Sequence, residues 1–526
     1  MTTRTPRHLS RRTLLQTTMA GVATGVLGGL KAPIAWSQEG RTLTGRTYTS
    51  IDTFDPAHYG GVPEEEVGMC IYNKLTHYTP GRSWQTHLQA AERLEQLDPT
   101  HVRFVLKPGQ TWSNGFGEIT AEDVKFSFER IVDPATESPN KPDMGSLAGV
   151  EIEDTYSGVI VLNEPFAPLL NIALPYITGT IVCKRAWEEA GGRMDGIPPT
   201  VAGPYQVESW TPAARTVLVP NPEYSGPDKA AFERIEILVV DDEKTAEIAF
   251  EAGDIDFTRV SLTSLDALQA NLPPNSTIEE FPSLYYVWLG MNTQSPKLAD
   301  PRVRRAIQHA IDVPSVLEAA YFGIAKPSTG IIAPGLVGHR PANLVPPQAD
   351  FAVARELLQD AEVGQLRLTL DVLNKAQWVT AAQVIQATLA NVGIDVTINQ
   401  SEAGTFWSLG KEAQGDSWQN LELVLNRFSM TPDPYYATSW FTTEQVGIWN
   451  WERFSNPEFD RLHKAAAAEG DSAKRDAMYR QMQDLMEQSG AYRFLTHEAN
   501  PVIYRNTIQP ALRPDGLPLY RYFKPA

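Results

Sequence analysis

Cysteine is scarce in this chain of 526 residues, which holds only Cys70 and Cys183. Two cysteines exclude both the disulfide framework of a small secreted domain and a cysteine-rich zinc site. An exported protein could join the pair, but we expect two separate thiols. Cys70 falls on the apolar face of a predicted helix with Val67 and Ile71, so we expect it to pack rather than to react.

Basic side chains are also in deficit, because 45 Lys and Arg face 63 Asp and Glu, for a formal net charge of −18. Surfaces that bind nucleic-acid phosphates are basic, so we expect no nucleic-acid partner. The apolar run near the N-terminus, Thr17–Leu30, is too short to cross a bilayer, which takes about 20 apolar residues.

Catalytic and metal-binding motifs are missing as well. The nine histidines include no H-E-x-x-H pair, and the best trio for a metal, His77, His87 and His101, follows no helical spacing. The sequence has no G-x-S-x-G elbow, no Cys–His signature and no phosphate-binding loop. We therefore expect no metal site, no cofactor and no catalytic residues, and we predict that the protein is not an enzyme.

The first 37 residues have the features of an export signal. Ser10–Leu15 reads S-R-R-T-L-L, the twin-arginine pattern, and the apolar run follows it. Ala35, Trp36 and Ser37 form a small-x-small cleavage site, which predicts that the mature chain starts at Gln38. No cysteine lies near the cut, so we expect no lipid anchor. The sequence thus predicts a soluble periplasmic protein exported by the twin-arginine route.

The rest of the chain has ordinary globular composition, with 42% hydrophobic and 21% charged residues. Its length exceeds that of one ordinary hydrophobic core, so we expect two or three domains. Strand and helix patterns alternate along it. Thr120 and Asp123 fit a capping box at the start of a helix. Leu366–Leu373, Ala381–Val392 and Ile394–Ile398 follow a strand–helix–strand order, which predicts an α/β fold with helices on a sheet.

One stretch, from Tyr285 to Pro334, carries the clearest pattern. Tyr285–Asn292 has the composition of an apolar strand. Asp300 is a good N-cap for the helix that follows, and Pro301 at its first position already has a helical φ. We interpret the strand as the point where the chain passes from one domain to another, and we expect the site of function there. A second crossing strand is expected near Tyr492–Tyr504.

These motifs resemble a known family. The strand ending in Asn292, followed by D-x-R-V-R-x-A-I-x-x-A-I-D and Y-x-G-x-A-x-P, is similar to extracytoplasmic solute-binding proteins of family 5, the peptide/nickel/opine class. These proteins serve ATP-binding-cassette (ABC) importers. Further blocks resemble the family in the same order, at Phe104–Arg130 and at Ala202–Tyr205, where Val201 replaces a glycine. The resemblance covers Leu43 to the C-terminus.

The resemblance implies a two-lobed periplasmic binding protein of type II. The chain is similar to the large members of this type, called cluster C, which have mixed sheets and an extra N-terminal subdomain. We expect a first lobe over residues 38–285, with the subdomain at about 80–185. A second lobe is expected over 286–495, and a return to the first lobe over 496–526. The implied partners are a small-molecule solute and, transiently, a membrane-embedded ABC permease, and we expect a monomer.

Candidate ligand-binding residues come from three observations. The loop after Leu425 follows a strand end, where ligands lie in open α/β sheets. Aromatic residues gather in the predicted second lobe, and aromatic rings hold sugars, other rings and cations. The loop at 51–57 resembles one that lines the cleft in the family. The resulting candidates are Asp52, Phe54, Tyr285, Trp407, Arg427, Ser429 and Met430.

Two departures from the family pattern bear on the solute. Peptide-binding members place an aspartate three residues before the D-P pair at Asp433 to bind the ligand's ammonium group, and here that residue is Met430. Members that bind a carboxylate use an arginine after the strand that matches Leu366–Leu373, where this chain has L-N-K. A sugar-like, opine-like or aromatic solute therefore fits the sequence better than a simple dipeptide.

The sequence thus predicts the periplasmic solute-binding component of an ABC importer. It would close by hinge rotation on a small organic solute that is peptide-, opine- or oligosaccharide-like. Two alternatives stay open at this point. One is a periplasmic enzyme exported by the twin-arginine route, and the other is a binder of a metal chelate or haem.

Overall fold

The protein is described from a computed structural model, which covers residues 41–192, 194 and 196–526. The export signal predicted for residues 1–37 lies outside the described residues. The chain is built around one mixed sheet of eleven strands. In chain order these strands are β1 (Thr42–Thr47), β2 (Tyr205–Thr211), β3 (Arg215–Pro220), β4 (Arg234–Val239), β5 (Phe257–Arg259), β6 (Ser276–Met291), β7 (Lys326–Pro327), β8 (Leu366–Leu373), β9 (Ile394–Ser401), β10 (Leu423–Ser429) and β11 (Tyr492–Arg505).

Across the sheet the strands run in the order β2-β3-β4-β1-β5-β11-β6-β10-β8-β9, and β7 pairs with β11. On one side of the centre, β1 lies parallel to both β4 and β5. On the other side, β8 lies parallel to both β9 and β10. Two groups of parallel strands are therefore joined through the antiparallel pair β6 and β11.

The two central strands are the longest in the sheet, with 16 residues in β6 and 14 in β11. Their pairing is regular from Ser276↔Arg505 to Pro282↔Ala499, and it resumes at Tyr286↔His497 after a register shift. Pro282 stands at this irregularity. Proline has no N–H to donate to a ladder, so it is tolerated in a strand at such a place. The irregularity divides each long strand into two halves.

Smaller sheets and helices surround this framework. An antiparallel sheet of four strands lies between β1 and β2 in sequence, in the order Ala91–Asp98, His101–Leu106, Ser157–Leu162, Leu147–Asp154. The two-stranded pairs are Asn73–Lys74 with Thr180–Ile181, Thr76–Tyr78 with Thr86–Leu88, Thr111–Trp112 with Gly117–Glu118, and Ile508–Gln509 with Lys524–Pro525. The α-helices are α1 (Val62–Ile71), α2 (Ala121–Val132), α3 (Lys184–Glu189), α4 (Glu243–Ala252), α5 (Leu262–Ala270), α6 (Pro301–Ala310), α7 (Val313–Tyr321), α8 (Phe351–Asp360), α9 (Ala376–Ala390), α10 (Ala403–Phe406), α11 (Pro434–Ser439), α12 (Pro457–Ala468) and α13 (Ser472–Gln488).

The hydrophobic core divides at β6. Phe281, before the irregularity, belongs to a buried cluster with Leu43, Ile235 and Val502. After the irregularity, Val287 and the residues that follow it enter two further clusters, built from α6 to α9 with β8 to β10, and from α11 to α13. The fold is therefore the predicted two-lobed α/β architecture with mixed sheets. The four-stranded sheet occupies the place expected for the extra subdomain. The lobe boundaries at 285 and 495 stay predictions.

Local patterns in the central stretch behave as expected. The Asp300 side chain accepts a hydrogen bond of 2.8 Å from the Arg302 N–H, and α6 begins at Pro301. The strand predicted at Tyr285–Asn292 starts nine residues earlier, because Ser276–Phe281 pairs with β11 although its solvent-facing half is polar. Among the described residues, no helix combines the length and apolar character needed to span a membrane.

Candidate functional site

A cavity of about 390 Å³ lies beside the irregular segment of the crossing strands. Ser283, Leu284 and Tyr285 of β6 line it, and so do Glu498 and Asn500 of β11. Both of the lobes that these strands join also contribute to its walls. A cavity is therefore present at the crossing strands, where the sequence predicts the site of function.

The wall from the first lobe is formed where parallel strands end. Tyr48 follows β1, Glu243 follows β4, and Arg259 is the last residue of β5. Because β4, β1 and β5 are parallel neighbours, their carboxyl ends meet at one edge of the sheet. Loops at this edge of an open α/β sheet are the usual place for ligands.

The wall from the second lobe is formed in the same way. Arg427 and Ser429 stand at the carboxyl end of β10, which is parallel to β8, and Met430 follows directly. The Met430 N–H donates a hydrogen bond of 3.0 Å to the Leu284 carbonyl of β6, so the chain after β10 is held against the crossing strand. The two walls thus present the carboxyl ends of two parallel strand groups to one space.

Arg427 is a cavity charge held by two neighbouring groups. Its guanidinium donates to the Glu498 carboxylate at 2.6 Å, and it lies 3.5 Å from the centre of the Tyr285 ring. Burial opposes the charge of Arg427, but the adjacent Glu498 carboxylate outweighs burial and raises the pKa of the guanidinium. The Arg427 Nε is buried without a partner among the described residues.

A second cavity of about 290 Å³ shares Tyr285, Arg427, Ser429 and Trp440 with the first. Its walls are mostly aromatic, from Trp407, Phe428, Trp440 and Trp449. The Phe428 ring stands at the centre of this group, 6.3 Å from Trp407, 5.8 Å from Trp440 and 5.9 Å from Trp449 between ring centroids. The site thus combines a charged chamber with an aromatic one.

The structure brings together five of the seven predicted site residues. Tyr285, Arg427, Ser429 and Met430 line the larger cavity, and Trp407 lines the aromatic one.

It does not bring Asp52 or Phe54 to either cavity. Phe54 is 1% exposed and packs edge-on against Trp210, with ring centroids 5.2 Å apart. Asp52 is exposed, and its N–H bonds Glu64. The prediction for Phe54 is wrong, because this apolar side chain packs on the buried side of its loop instead of facing a cavity.

Sequence reasoning missed the first-lobe residues Tyr48, Glu243 and Arg259, and also the buried pair of Arg513 with Asp515. None of these lies in a recognisable motif. The signal that could have found the first three is their position, because each stands at or just after the carboxyl end of a strand of the first lobe.

The carboxylates near Met430 are already engaged. Met430 is 5% exposed and offers no charge. Asp433 is fully buried, accepts hydrogen bonds from Arg475 at 2.9 and 3.0 Å, and caps α11 through the Tyr435 N–H. An ammonium group at this point would have to compete with a buried ion pair, which is unfavourable. Asp433 therefore does not make up for the aspartate that Met430 replaces.

Within the described part of the chain, no three His, Cys, Asp or Glu side chains are arranged to hold a metal ion. His77 and His87 are cross-strand partners with ring centroids 6.1 Å apart, but His101 pairs with Asp98 elsewhere. Cys70 and Cys183 are separate buried thiols, as predicted. Burial raises the pKa of Cys70 to about 12 and that of Cys183 to about 11, so both stay protonated and unreactive.

Two lobes joined by crossing strands, with a cavity at the joint, define the class of two-lobed solute-binding proteins. Comparison with known families agrees with this class. The family described as "Bacterial extracellular solute-binding proteins, family 5 Middle" matches residues 85–447. The chain belongs to this family of bacterial extracellular solute-binding proteins.

Individual relatives are distant but cover most of the chain. The probable D,D-dipeptide-binding periplasmic protein DdpA of Escherichia coli is 26% identical over 84% of this chain and 86% of its own length. The probable di/tripeptide-binding protein 5 of Pseudomonas aeruginosa is 25% identical, over 89% and 92%. Among solved structures, HbpA2 from Haemophilus parasuis has a TM-score of 0.82 at 21% identity, with 92% of this chain and all of that chain covered.

Proposed function

We propose that this protein is the periplasmic solute-capturing component of an ABC importer. It binds a small organic solute in the two joined cavities between its lobes and delivers it, through a transient contact, to a membrane-embedded permease. The observation that carries the proposal is the position of the cavity, at the irregular segment of the only two long strands among those described. Family membership supports it.

Capture works by hinge closure. A solute that touches the carboxyl ends of β5 and β10 together stabilises the closed arrangement, because it gains contacts with both lobes only in that state. A micromolar dissociation constant corresponds to about 8 kcal/mol of binding free energy. Stacking on a few rings and several hydrogen bonds supply that amount without any covalent step. The proposal therefore includes no catalytic residue.

The solute is proposed to be amphipathic and peptide-like, with opine-like and oligosaccharide-like compounds as the other members of the screen. Two relatives are named for di- or tripeptides, and the aromatic chamber suits an apolar or ring-bearing group. Export by the twin-arginine route, cleavage near Ser37 and a monomeric state belong to the same proposal.

The test is a binding screen with a matched pair of variants. Pools of di- and tripeptides, opines, oligosaccharides and betaines are added to the purified protein, and thermal shift and tryptophan fluorescence report binding. For the compound that binds, we expect Trp407→Ala to weaken affinity by about 2- to 10-fold, because one stacked ring contributes about 0.5–1.5 kcal/mol.

The control is Trp418→Ala, which removes a half-buried tryptophan of the same segment that lines neither cavity. It should leave affinity unchanged. Equal loss in both variants would show that Trp407 acts through stability alone. Chemical conversion of the bound compound, followed by mass spectrometry, would show instead that the protein is an enzyme.

A further inference from the structure

Four of the six charged residues that line the larger cavity form two ion pairs, and Glu243 and Arg259 stay outside these pairs. Arg427 is paired with Glu498 at 2.6 Å, and Arg513 is paired with Asp515 at 2.5 Å. Glu243 is exposed at the first position of α4, where helix amides favour a negative charge. Arg259 is left, and in the part of the chain that the structure describes its side chain has no ion-pair or hydrogen-bond partner.

Arg259 is held firmly although its charge is free. It is the last residue of β5, half-buried, and its backbone is in register with Val502 of β11. The next residue, Val260, donates its N–H to the Pro501 carbonyl at 2.9 Å. The backbone so fixed places a free guanidinium at the cavity wall, and a planar guanidinium matches a carboxylate in two hydrogen bonds.

A buried acid that interacts with Arg259, Glu66, does not neutralise its charge. Glu66 is 5% exposed, and its Oε2 has no hydrogen-bond partner among the described residues. It lies one helical turn after Val62, which lines the cavity. Burial raises the pKa of Glu66 to about 8, even though Arg259 and Arg46 pull that pKa down. Near neutral pH Glu66 is therefore mostly uncharged.

A second cation strengthens the local field. Arg46 is 7% exposed, and its guanidinium donates to the carbonyls of Val240 and Asp241 at 2.7 Å each. Those acceptors are neutral, so the charge of Arg46 is also not cancelled by a direct carboxylate contact. Glu243 on the same wall offsets part of this charge. The two arginines still outnumber it, although the whole chain carries −18.

We propose that Arg259 binds the anionic group of the solute, a carboxylate, and so determines that the protein selects acids. The inference rests on the proposed function, since it assigns a role within the same cavity. It also accounts for the missing arginine at 373–375, because the carboxylate would be bound from the first lobe instead of the second. The apolar part of the solute then points to the aromatic chamber around Phe428.

The experiment compares two dipeptide libraries that differ only at the C-terminus, one with free carboxylates and one with carboxamides. Native mass spectrometry of the full chain measures binding of each. We expect the wild type to prefer the acids. Arg259→Gln should weaken acid binding by about 10- to 100-fold, as for loss of a charge-assisted hydrogen bond. It should leave amide binding unchanged, and Arg259→Lys should retain part of the preference.

Arg215→Gln is the matched control, because Arg215 is exposed on the same sheet and lines no part of the cavity. It should keep the full preference for acids. The inference is overturned if Arg259→Gln still prefers acids, or if the wild type binds amides equally well. Binding of an uncharged oligosaccharide, with neither library bound, would overturn it while the proposed function stands. Failure of every compound in the wider screen would overturn both.

Discussion

Three consecutive glutamates show how single residues adapt to burial in this protein. Glu64, Glu65 and Glu66 open α1, and all three are at most 5% exposed. Glu65 forms an ion pair with Lys74, which is itself buried. Glu66 has no such partner, and it retains its proton instead. The same chemical group is thus stabilised in two ways within one helical turn.

A pH dependence of stability follows from Glu66. Its pKa is about 8 in the folded protein and near 4.5 when unfolded, so between those values only the folded chain holds the proton. The free energy of unfolding therefore falls as pH rises through this window, by about 1.4 kcal/mol per pH unit from this group. Glu66→Gln removes the effect. Urea unfolding at pH 5 and pH 8 should show the variant gaining stability relative to wild type as pH increases.

Glu233→Gln serves as the comparison, because Glu233 is exposed on the same lobe. Its unfolding free energy should follow the wild-type pH profile. Parallel profiles for wild type and Glu66→Gln would contradict the assignment of a buried, protonated carboxyl at this position.

At the scale of elements, the two long strands β6 and β11 both join the lobes and line the cavity. Regular pairing holds β6 to β11 on both sides of the segment Ser283–Tyr285, but within it the ladder between them is interrupted. If the lobes rotate as proposed, fewer backbone bonds have to change there. The same segment lines the cavity, so the proposed solute contact and hinge rotation would involve one set of residues.

Amide hydrogen exchange tests this hinge. In the free protein, the N–H groups of Ser283 and Leu284 should exchange faster than the alternate amides of Thr277–Phe281 that donate to β11, because those amides lie in an intact ladder. A bound solute should slow exchange at the two hinge amides and leave the flanking ones unchanged. Equal protection along the whole of β6 in the free protein would argue against a hinge at this point.

On the scale of the molecule, the lobes also touch far from the crossing strands. The Ala167 N–H donates to the Ala467 carbonyl at 2.7 Å, and the Phe166 and Tyr435 rings pack edge-on at 5.3 Å. Asn171 donates to the Asp433 carboxylate at 3.3 Å. Polar and edge-on aromatic contacts of this kind can break and re-form, which suits the reversible closure proposed above.

A cross-link at this contact should control solute exchange. In a variant with cysteines at positions 167 and 467, oxidation joins the lobes, since adjacent backbones are within the range a disulfide spans. We expect stopped-flow tryptophan fluorescence to show solute association and dissociation slowed more than about 10-fold. Reduction should restore both rates, and either single cysteine variant should behave as wild type. Unchanged rates in the oxidised protein would contradict closure by lobe rotation.

The sequence by itself determined the local features of this protein. The N-cap at Asp300, the crossing strand before it, and the placement of Arg427, Ser429 and Met430 at a strand end follow from patterns within about ten residues. The family resemblance added the two-lobed α/β fold. These features are readable because capping, strand alternation and strand ends depend on neighbours in the chain.

Only the tertiary structure decided which residues share the site. Sheet order, which no local pattern encodes, brings Tyr48, Glu243 and Arg259 to face Arg427, about 170 to 380 residues away in the chain. Packing against Trp210 also turns Phe54 inward. The tertiary structure also decides which charges are paired, because an arginine is free or neutralised according to the acids that lie near it in space. That is why the sequence located the joint between the lobes, and the fold alone revealed the unpaired cation beside it.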